Sequence, residues 1–250
     1  MTSDQKQPVK HAILLAAGKG KRLLPHTQNT PKPLLPVDGR ASLDIIFESL
    51  AAAGITSATV VTHYLEEQIA DYIRKQTWIA DVCRCHQTVM DGTANAVQQA
   101  LAQSEQNGVQ VAINDESPIL VSATDYLTAH DFYSEFLNFH ASHNAHISVS
   151  LKRVPEAELA KRSSVETTDD GRVLRIVEKP AAGKAPGKHS ANLMFVLPAT
   201  VKTYLQDVKQ SSRGEFEVQD AINAMLDAGY EGRGLLQETP KEWGPEMAGK

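Results

Sequence analysis

Cysteine is almost missing from this chain. Cys83 and Cys85, in "DVCRCHQ", are the only two in 250 residues. They are too few and too close together for a disulfide framework or a four-ligand zinc site. On a strand both would point to one face. They read as reduced thiols, and a cytoplasmic protein is the matching expectation. Long apolar runs are missing too. No segment reaches the length needed to span a bilayer, and the N-terminal "MTSDQKQPVKH" lacks the apolar centre of a secretory signal. A basic balance is also absent. The formal net charge is -5, which argues against a general nucleic-acid binder. Neither membrane nor nucleic acid is an expected partner. One further absence is local: no acidic residue occurs from Gln5 to Val37.

What is present is ordinary in bulk, with 42% hydrophobic and 22% charged residues. The length suits one large α/β domain or two small ones. Strand-like and helix-like segments alternate. "KHAILLA" is a short apolar run ending near glycine, hence a buried strand. "SLDIIFESLAAAG" is helical, with Ser42 available as a cap and Gly54 as a stop. "SATVVTH" is a β-branched strand, and "LEEQIADYIRKQ" is an amphipathic helix whose acids precede its bases, as the helix dipole favours. A strand near Val82–His86, the helix "TANAVQQALAQSEQ", the strand "SPILVSATD", the helix "DFYSEFLNFHASHN" and the strand "HISVSLKRV" continue the rhythm. Such alternation predicts a mostly parallel sheet with helices on both faces.

After Pro155 the texture changes. "SSVETTDDGRVLRIVEKP" reads as a hairpin, "AAGKAPGKHS" as a solvated loop, "ANLMFVL" as a strand and "EFEVQDAINAMLDAG" as a helix closed by Gly229. No internal repeat is visible. The expected organisation is a single domain over residues 1–250. Its half at about 9–154 would bind nucleotide, and its half at about 155–250 would carry the hairpin.

The acid-free stretch is the most informative. In "LLAAGKGKRLLPHTQNTPKPLLP" an apolar strand runs into Gly18 and Gly20, with Lys19, Lys21, Arg22 and Lys32 around them. Glycine lets backbone approach a ligand closely, consecutive N–H groups can converge on an anion, and ligands of open α/β sheets bind outside the carboxyl ends of strands. A phosphate site and a solvated basic turn both fit these residues alone. The patterns G-x-x-x-x-G-K-[ST] and G-x-G-x-x-G are absent; the second would need glycine at Leu23.

The whole stretch resembles the signature of the sugar-1-phosphate nucleotidyltransferases, roughly L-A-A/G-G-x-G-T-R-L-x-P-x-T-x-x-x-P-K-P-L-x-P. The departure inside it is Lys21, where the family commonly has Thr or Ser. "QTVMDGTANAV", "ILVSATDYL", "GRVLRIVEKP" and "RGEFEVQDAI" are similar to further family segments and follow in family order. The resemblance implies a Rossmann-like three-layer α/β/α fold with a mixed, mostly parallel central sheet. It implies an enzyme that transfers a nucleotidyl group from a nucleoside triphosphate to a sugar-1-phosphate with Mg²⁺, releasing pyrophosphate. A CTP- or GTP-using relative acting on phosphocholine or mannose-1-phosphate, or a weakened nucleotide-sugar-binding subunit, are the alternatives. A homo-oligomer is compatible with the family.

By the same resemblance Arg22, Lys32 and Asp125 are the catalytic set. Arg22 would hold the leaving phosphates, Lys32 the α-phosphate, and Asp125 the metal. Ala16, Ala17, Gly18, Lys19, Gly20, Lys21, Gln87, Gly92 and Thr93 would contact the nucleotide. The spacing of Gln87 and Gly92 matches relatives that read a pyrimidine edge, which favours UTP or dTTP; Gly92 would leave room for the base. Glu178 and Lys179 match the sugar-side pair, while Ser163 and Asn192 stand where the family often has glycine. The family's late W-x-D carboxylate is missing: Pro245 follows Trp243 at that spacing, with Glu246 and Glu242 the nearest substitutes. The histidines His140, His143 and His146 read as a polar helix end. Glu215 and Asp220 fit either the sugar side or a helix N-terminus.

Overall fold

The computed structural model describes residues 7–106, 117–127, 131–237 and 241–242. Its frame is one nine-stranded mixed sheet. Strands β1 (His11–Leu15), β2 (Ser57–Thr62), β3 (Asp81–His86) and β4 (Ile119–Ala123) run parallel in the order β4-β1-β2-β3. Then come β5 (Ile147–Arg153), β6 (Ser163–Thr167), β7 (Val173–Glu178), β8 (His189–Leu197) and β9 (Gly232–Leu236). β8 lies antiparallel to β4, β5 and β6, β7 pairs antiparallel with β6, and β9 runs parallel to β5.

Helices α1 (Ser42–Ala52), α2 (Glu66–Lys75) and α4 (Phe132–Ser142) contribute to one apolar layer. Helices α3 (Thr93–Gln106), α5 (Val201–Gln206) and α6 (Val218–Asp227) contribute to the other. Strand alternation divides the core between them. Ala12 and Leu14 of β1 pack with Leu43, Ile46, Phe47 and Leu50, while Ile13 packs with Val97, Val121 and Ile222. Each fully buried Leu, Ile or Phe contributes about 1.5–3 kcal/mol. The three-layer α/β/α architecture is therefore the one the alternation implies.

Helix α1 buries Leu43, Ile46, Phe47 and Leu50, one helical stripe, and Gly54 turns the chain beyond it at φ +83°. Ser42 is not its cap. It lies within the first turn, buried, and its Oγ donates to the Pro33 carbonyl at 2.8 Å. Segments expected up to Val154 form with ends within two residues, and the hairpin forms as β6 and β7.

Among the elements that the sequence reading did not name, two shape the second half. Helix α5 follows the loop after β8, and strand β9 forms from the glycine-containing "GRGLL". The glycines are there for packing: a Cβ on Gly234 would meet Leu151 Cδ1 at 2.4 Å, and one on Gly232 would meet Leu226 Cδ2 at 2.8 Å. The loop at Lys184–Lys188 also differs from a free turn. Gly187 N donates to Ser164 Oγ at 3.1 Å, and a Cβ there would fall 1.8 Å from the Val165 carbonyl oxygen.

Order reverses at β1: the chain moves outward through α1 to β2 on one side and returns through α3 to β4 on the other. Such a switch point opens a crevice at the strand's carboxyl end, which is where the loop carrying Gly18 to Lys32 begins. A second tie closes the crevice. Phe216 N donates to the Asp91 carbonyl at 2.7 Å, Ala94 N to the Phe216 carbonyl at 2.9 Å and Val218 N to Thr93 Oγ1 at 3.0 Å.

Gly92 sits inside that tie at φ +139°, where a Cβ would lie 2.2 Å from Phe216 O. Its missing side chain makes way for protein backbone, a different reason from room for a base. Gly92→Ala should cost about 2–4 kcal/mol of stability, because neither backbone can yield cheaply. Gly18→Ala, with open space around its Cβ, should change stability by less than about 1 kcal/mol. Urea unfolding midpoints of the two variants test this; equal costs would contradict the account.

Candidate active site

The cleft is built outward from the glycine loop. Gly20 adopts φ +59°, and a Cβ would meet Thr27 Cγ2 at 2.8 Å. Buried Thr27 returns a hydrogen bond from Oγ1 to the Gly20 carbonyl at 3.0 Å. Behind it, Tyr64 OH reaches the carbonyls of Thr27 and Gln28 at 3.0 and 2.9 Å, and Gln68 Nε2 donates to the Asn29 carbonyl at 2.9 Å. The loop's backbone is thus fixed, while Lys19, Lys21 and Arg22 project into solvent. Lys32 opens a short 3-10 turn between Pro31 and Pro33, and the Ser42 hydroxyl pins the Pro33 carbonyl.

From the far side of the switch point comes Asp125, just past β4. Thr124 Oγ1 donates to the Leu15 carbonyl at 3.1 Å and so ties this corner to β1. Lys32 Nζ meets Asp125 Oδ2 at 2.9 Å, with the two side chains 20% and 31% exposed. The other carboxylate oxygen, Asp125 Oδ1, is buried and has no hydrogen-bond partner.

Three chambers share this corner. The first, ≈ 390 Å³, is lined by Gly18, Gly20, Lys21, Arg22, Leu23, Lys32 and Asp125. The second, ≈ 210 Å³, is a mostly apolar slot that includes Leu15, Ala17, Val61, Gln87, Met90 and Gly92. The third, ≈ 350 Å³, is polar and includes Ser163, Glu178, Lys179, Asn192, Glu217 and Gln219. Arg22 and Asp125 line the first and third, while Thr93, Leu193 and Glu215 line the second and third. Gly18 belongs to the first and second. The chambers therefore form one cleft.

Most of the residues singled out from the sequence meet here, though several differ in detail. Ala16 is buried under the loop and lines none of these chambers. Lys19 projects from the loop rim and lines none of them either. Gln87 is 4% exposed, and its Nε2 donates to the Gly92 carbonyl at 3.1 Å and to Asn95 Oδ1 at 3.5 Å. The amide therefore does not present donor and acceptor together; what it keeps for a ligand is the oxygen. Ser163 Oγ accepts from Ala191 N at 2.9 Å, so its hydroxyl serves the joint between β6 and β8. Glu246 lies outside the described residues.

The histidines do not converge. His140 is buried on Ser148 Oγ at 2.8 Å, while His146 Nδ1 accepts from Glu231 N at 3.0 Å. Cys83 and Cys85 are free thiols, and burial pushes the Cys85 pKa up to about 11. Among the described residues no cluster of three or more His, Cys, Asp or Glu is placed to hold a metal, and no helix is long and apolar enough to cross a membrane.

Sequence reasoning missed Glu217 and Gln219. Both lie on the inner wall of the polar chamber, beside Glu215. The alternation of Glu215 and Glu217 in "GEFEVQD" was the available signal, because an extended segment puts such residues on one side, while Gln219 follows in the first turn of α6. Its reading as the start of a helix hid this, since α6 begins only at Val218. Burial raises the pKa of Glu178 and lifts Glu217 to about 7, despite an ion pair from Arg213 to Glu217.

The chain belongs to the Nucleotidyl transferase family, whose model matches residues 11–242. It is 28% identical over 93% of its length to the Bifunctional protein GlmU of Methanococcus vannielii, of which it covers 52%. It is 27% identical over 91% of its length to the glucose-1-phosphate adenylyltransferase of Nocardia farcinica, covering 59% of that protein. The chain thus spans little more than half the length of these two relatives. With the UTP–glucose-1-phosphate uridylyltransferase of Staphylococcus haemolyticus it shares 26% identity, over 87% of this chain and 81% of that one. Among solved structures, a UDP-glucose pyrophosphorylase complexed with UDP-glucose superposes with a TM-score of 0.78, at 20% identity over 94% of this chain and 92% of the other. A UTP-bound UGPase from Acinetobacter baumannii superposes at 0.73, with 21% identity over 97% and 90% of the two chains. At such identities these likenesses show the fold.

The Glu217 environment makes a pH prediction. A carboxyl with a raised folded-state pKa holds its proton more tightly when folded. Its stabilising contribution is complete below the ordinary value of 4.5 and is lost as pH rises towards about 7. Between pH 5 and 8 the wild-type chain should therefore lose about 1–3 kcal/mol relative to Glu217→Gln. Urea midpoints at both pH values measure the difference; a gap that stays constant across the range contradicts the assignment.

Proposed function

We propose that the cleft transfers a nucleotidyl group from a nucleoside triphosphate, UTP or dTTP, to a sugar-1-phosphate. The observation that carries this reading is the Lys32–Asp125 ion pair at the point where a cation-rich phosphate chamber, an apolar slot and a polar chamber meet. In this reading the segments up to residue 154 grip the nucleotide and those from 155 shape the acceptor chamber.

An oxygen of the sugar phosphate attacks the α-phosphorus while the bond to the bridging oxygen of the β-phosphate breaks, and pyrophosphate leaves. Such transfer asks protein mainly for alignment and charge neutralisation. Arg22 is exposed and makes no ion pair among the described residues, so its guanidinium fork is available to the leaving phosphates. Lys32 lines the phosphate chamber beside Asp125, so its ammonium can follow the charge that builds at the α-phosphate. Lys179, on the wall of the polar chamber, suits the acceptor's phosphate.

The fold family implies Mg²⁺. Asp125 fits it: Oδ1 is a buried hard donor with no partner. Bound there, the cation would neutralise phosphate charge. Lys32 holds the other oxygen, and an arriving phosphate would compete with that carboxylate for its ammonium.

Base choice rests on Gln87. With its NH₂ held by the Gly92 carbonyl and Asn95 Oδ1, its oxygen can accept the imide N–H of uracil or thymine. Cytosine offers an acceptor at that ring position and fits less well.

A panel of nucleoside triphosphates crossed with sugar-1-phosphates, read as pyrophosphate release, tests the proposal. UTP or dTTP with a sugar-1-phosphate should turn over. Lys32→Ala should lower kcat by about 10²–10³-fold, the scale for one lost transition-state contact. No pyrophosphate from any combination, or near wild-type kcat in the variant, would contradict it.

A further inference from the structure

The inner wall of the polar chamber has a chemical bias that the transfer reaction does not require. Asn192 is 1% exposed; its Nδ2 donates to Ser150 Oγ at 2.9 Å and its Oδ1 has no partner. Gln219 is 3% exposed and repeats the arrangement. Its Nε2 donates to Glu178 Oε2 at 3.1 Å, and its Oε1 is left alone. Both amides line the chamber. A buried acceptor without a donor costs about 1–3 kcal/mol, and native proteins rarely leave one without cause. Two on one cavity wall point to a ligand that brings donors.

The charge on the wall agrees. Glu178, Glu215 and Glu217 stand together. Arg213 pairs with Glu217 and reaches Glu215 at 3.9 Å, and Lys179 lies 3.9 Å from Glu178. The remaining cations of the chamber are engaged or face elsewhere: Lys161 and Arg162 reach Glu158 at 3.2 and 3.9 Å, and Arg22 belongs also to the phosphate chamber. If Lys179 takes the acceptor's phosphate, three carboxylates share one guanidinium. Burial raises the pKa of Glu178 and Glu217, as a shortage of positive charge would.

We infer that the acceptor is a sugar-1-phosphate bearing a free amino group, whose ammonium sits against Asn192, Gln219, Glu178 and Glu217. This rests on the transfer reaction proposed above and names its acceptor class. An ammonium offers three donors and no acceptor, so it matches the wall throughout. A hydroxyl brings lone pairs of its own. An N-acetyl group adds a carbonyl oxygen facing other oxygens, and a carboxylate adds like charge. A quaternary ammonium such as phosphocholine offers no N–H. It is favoured by aromatic faces, and no aromatic side chain lines this chamber among the described residues.

The test compares kcat/KM of the full-length protein for glucose-1-phosphate, its 2-, 3-, 4- and 6-amino derivatives, N-acetylglucosamine-1-phosphate and glucuronic acid-1-phosphate, with the preferred nucleotide. At least one amino derivative should exceed glucose-1-phosphate by about tenfold or more, and the N-acetyl and uronate compounds should fall below it. In Glu217→Gln and in Asn192→Ala the ratio of amine to hydroxyl should shrink at least about fivefold. Turnover of glucose-1-phosphate equal to or faster than that of every amine overturns the inference and leaves the transfer reaction standing. So does a ratio unchanged in both variants. Absence of turnover with every sugar phosphate overturns both.

Discussion

The site depends on one contact made across 93 residues of chain, the 2.9 Å approach of Lys32 Nζ to Asp125 Oδ2. Neither group reaches this point alone. Lys32 is aimed by flanking prolines and by the Ser42 hydroxyl on the Pro33 carbonyl. Asp125 is placed by β4 and by the Thr124 bond to Leu15. The contact forms because β1 and β4 are parallel neighbours at the point where strand order reverses. In a half-exposed corner such a pair contributes little to stability. Its importance is positional: it places an ammonium and a carboxylate where three chambers join.

Around that contact the polarity changes with direction. Towards the glycine loop the side chains are cationic, towards Gln87 and Met90 they are apolar, and towards Glu178 and Glu217 they are acidic and rich in acceptors. A nucleoside triphosphate and a sugar phosphate fill such a sequence naturally. In the proposed reading the polyphosphate would meet the positive loop, the base would leave water, and the sugar's donors would find oxygens. The backbone tie between Asp91–Ala94 and Phe216–Val218 joins the slot to the acidic wall, so the two cannot move independently.

Much of this was legible in the sequence because it is local. The acid-free stretch, the strand that feeds it and the alternation of elements are set by neighbouring residues. What was not legible is set by distant ones. The strand at Gly232 and Gly234 went unread because their partners, Leu226 and Leu151, lie on other elements. Gly92 is glycine because of Phe216, and Gln87 gives its two N–H donors to Gly92 and Asn95. Glu217 gave no sign of a pKa near 7, because only folding brings it beside Glu178 and out of water. Ser42, a plausible cap by sequence, holds the Pro33 carbonyl through tertiary geometry.

The central claim is that polyphosphate and metal meet at the Lys32–Asp125 corner. A crystal structure with a non-hydrolysable UTP analogue and Mn²⁺ tests it most directly. The account expects the triphosphate along the segment from Gly18 to Lys32, an anomalous Mn²⁺ peak on Asp125, and the Lys32 ammonium moved from carboxylate to phosphate. A nucleotide bound away from that loop, or Mn²⁺ bound away from Asp125, would contradict it.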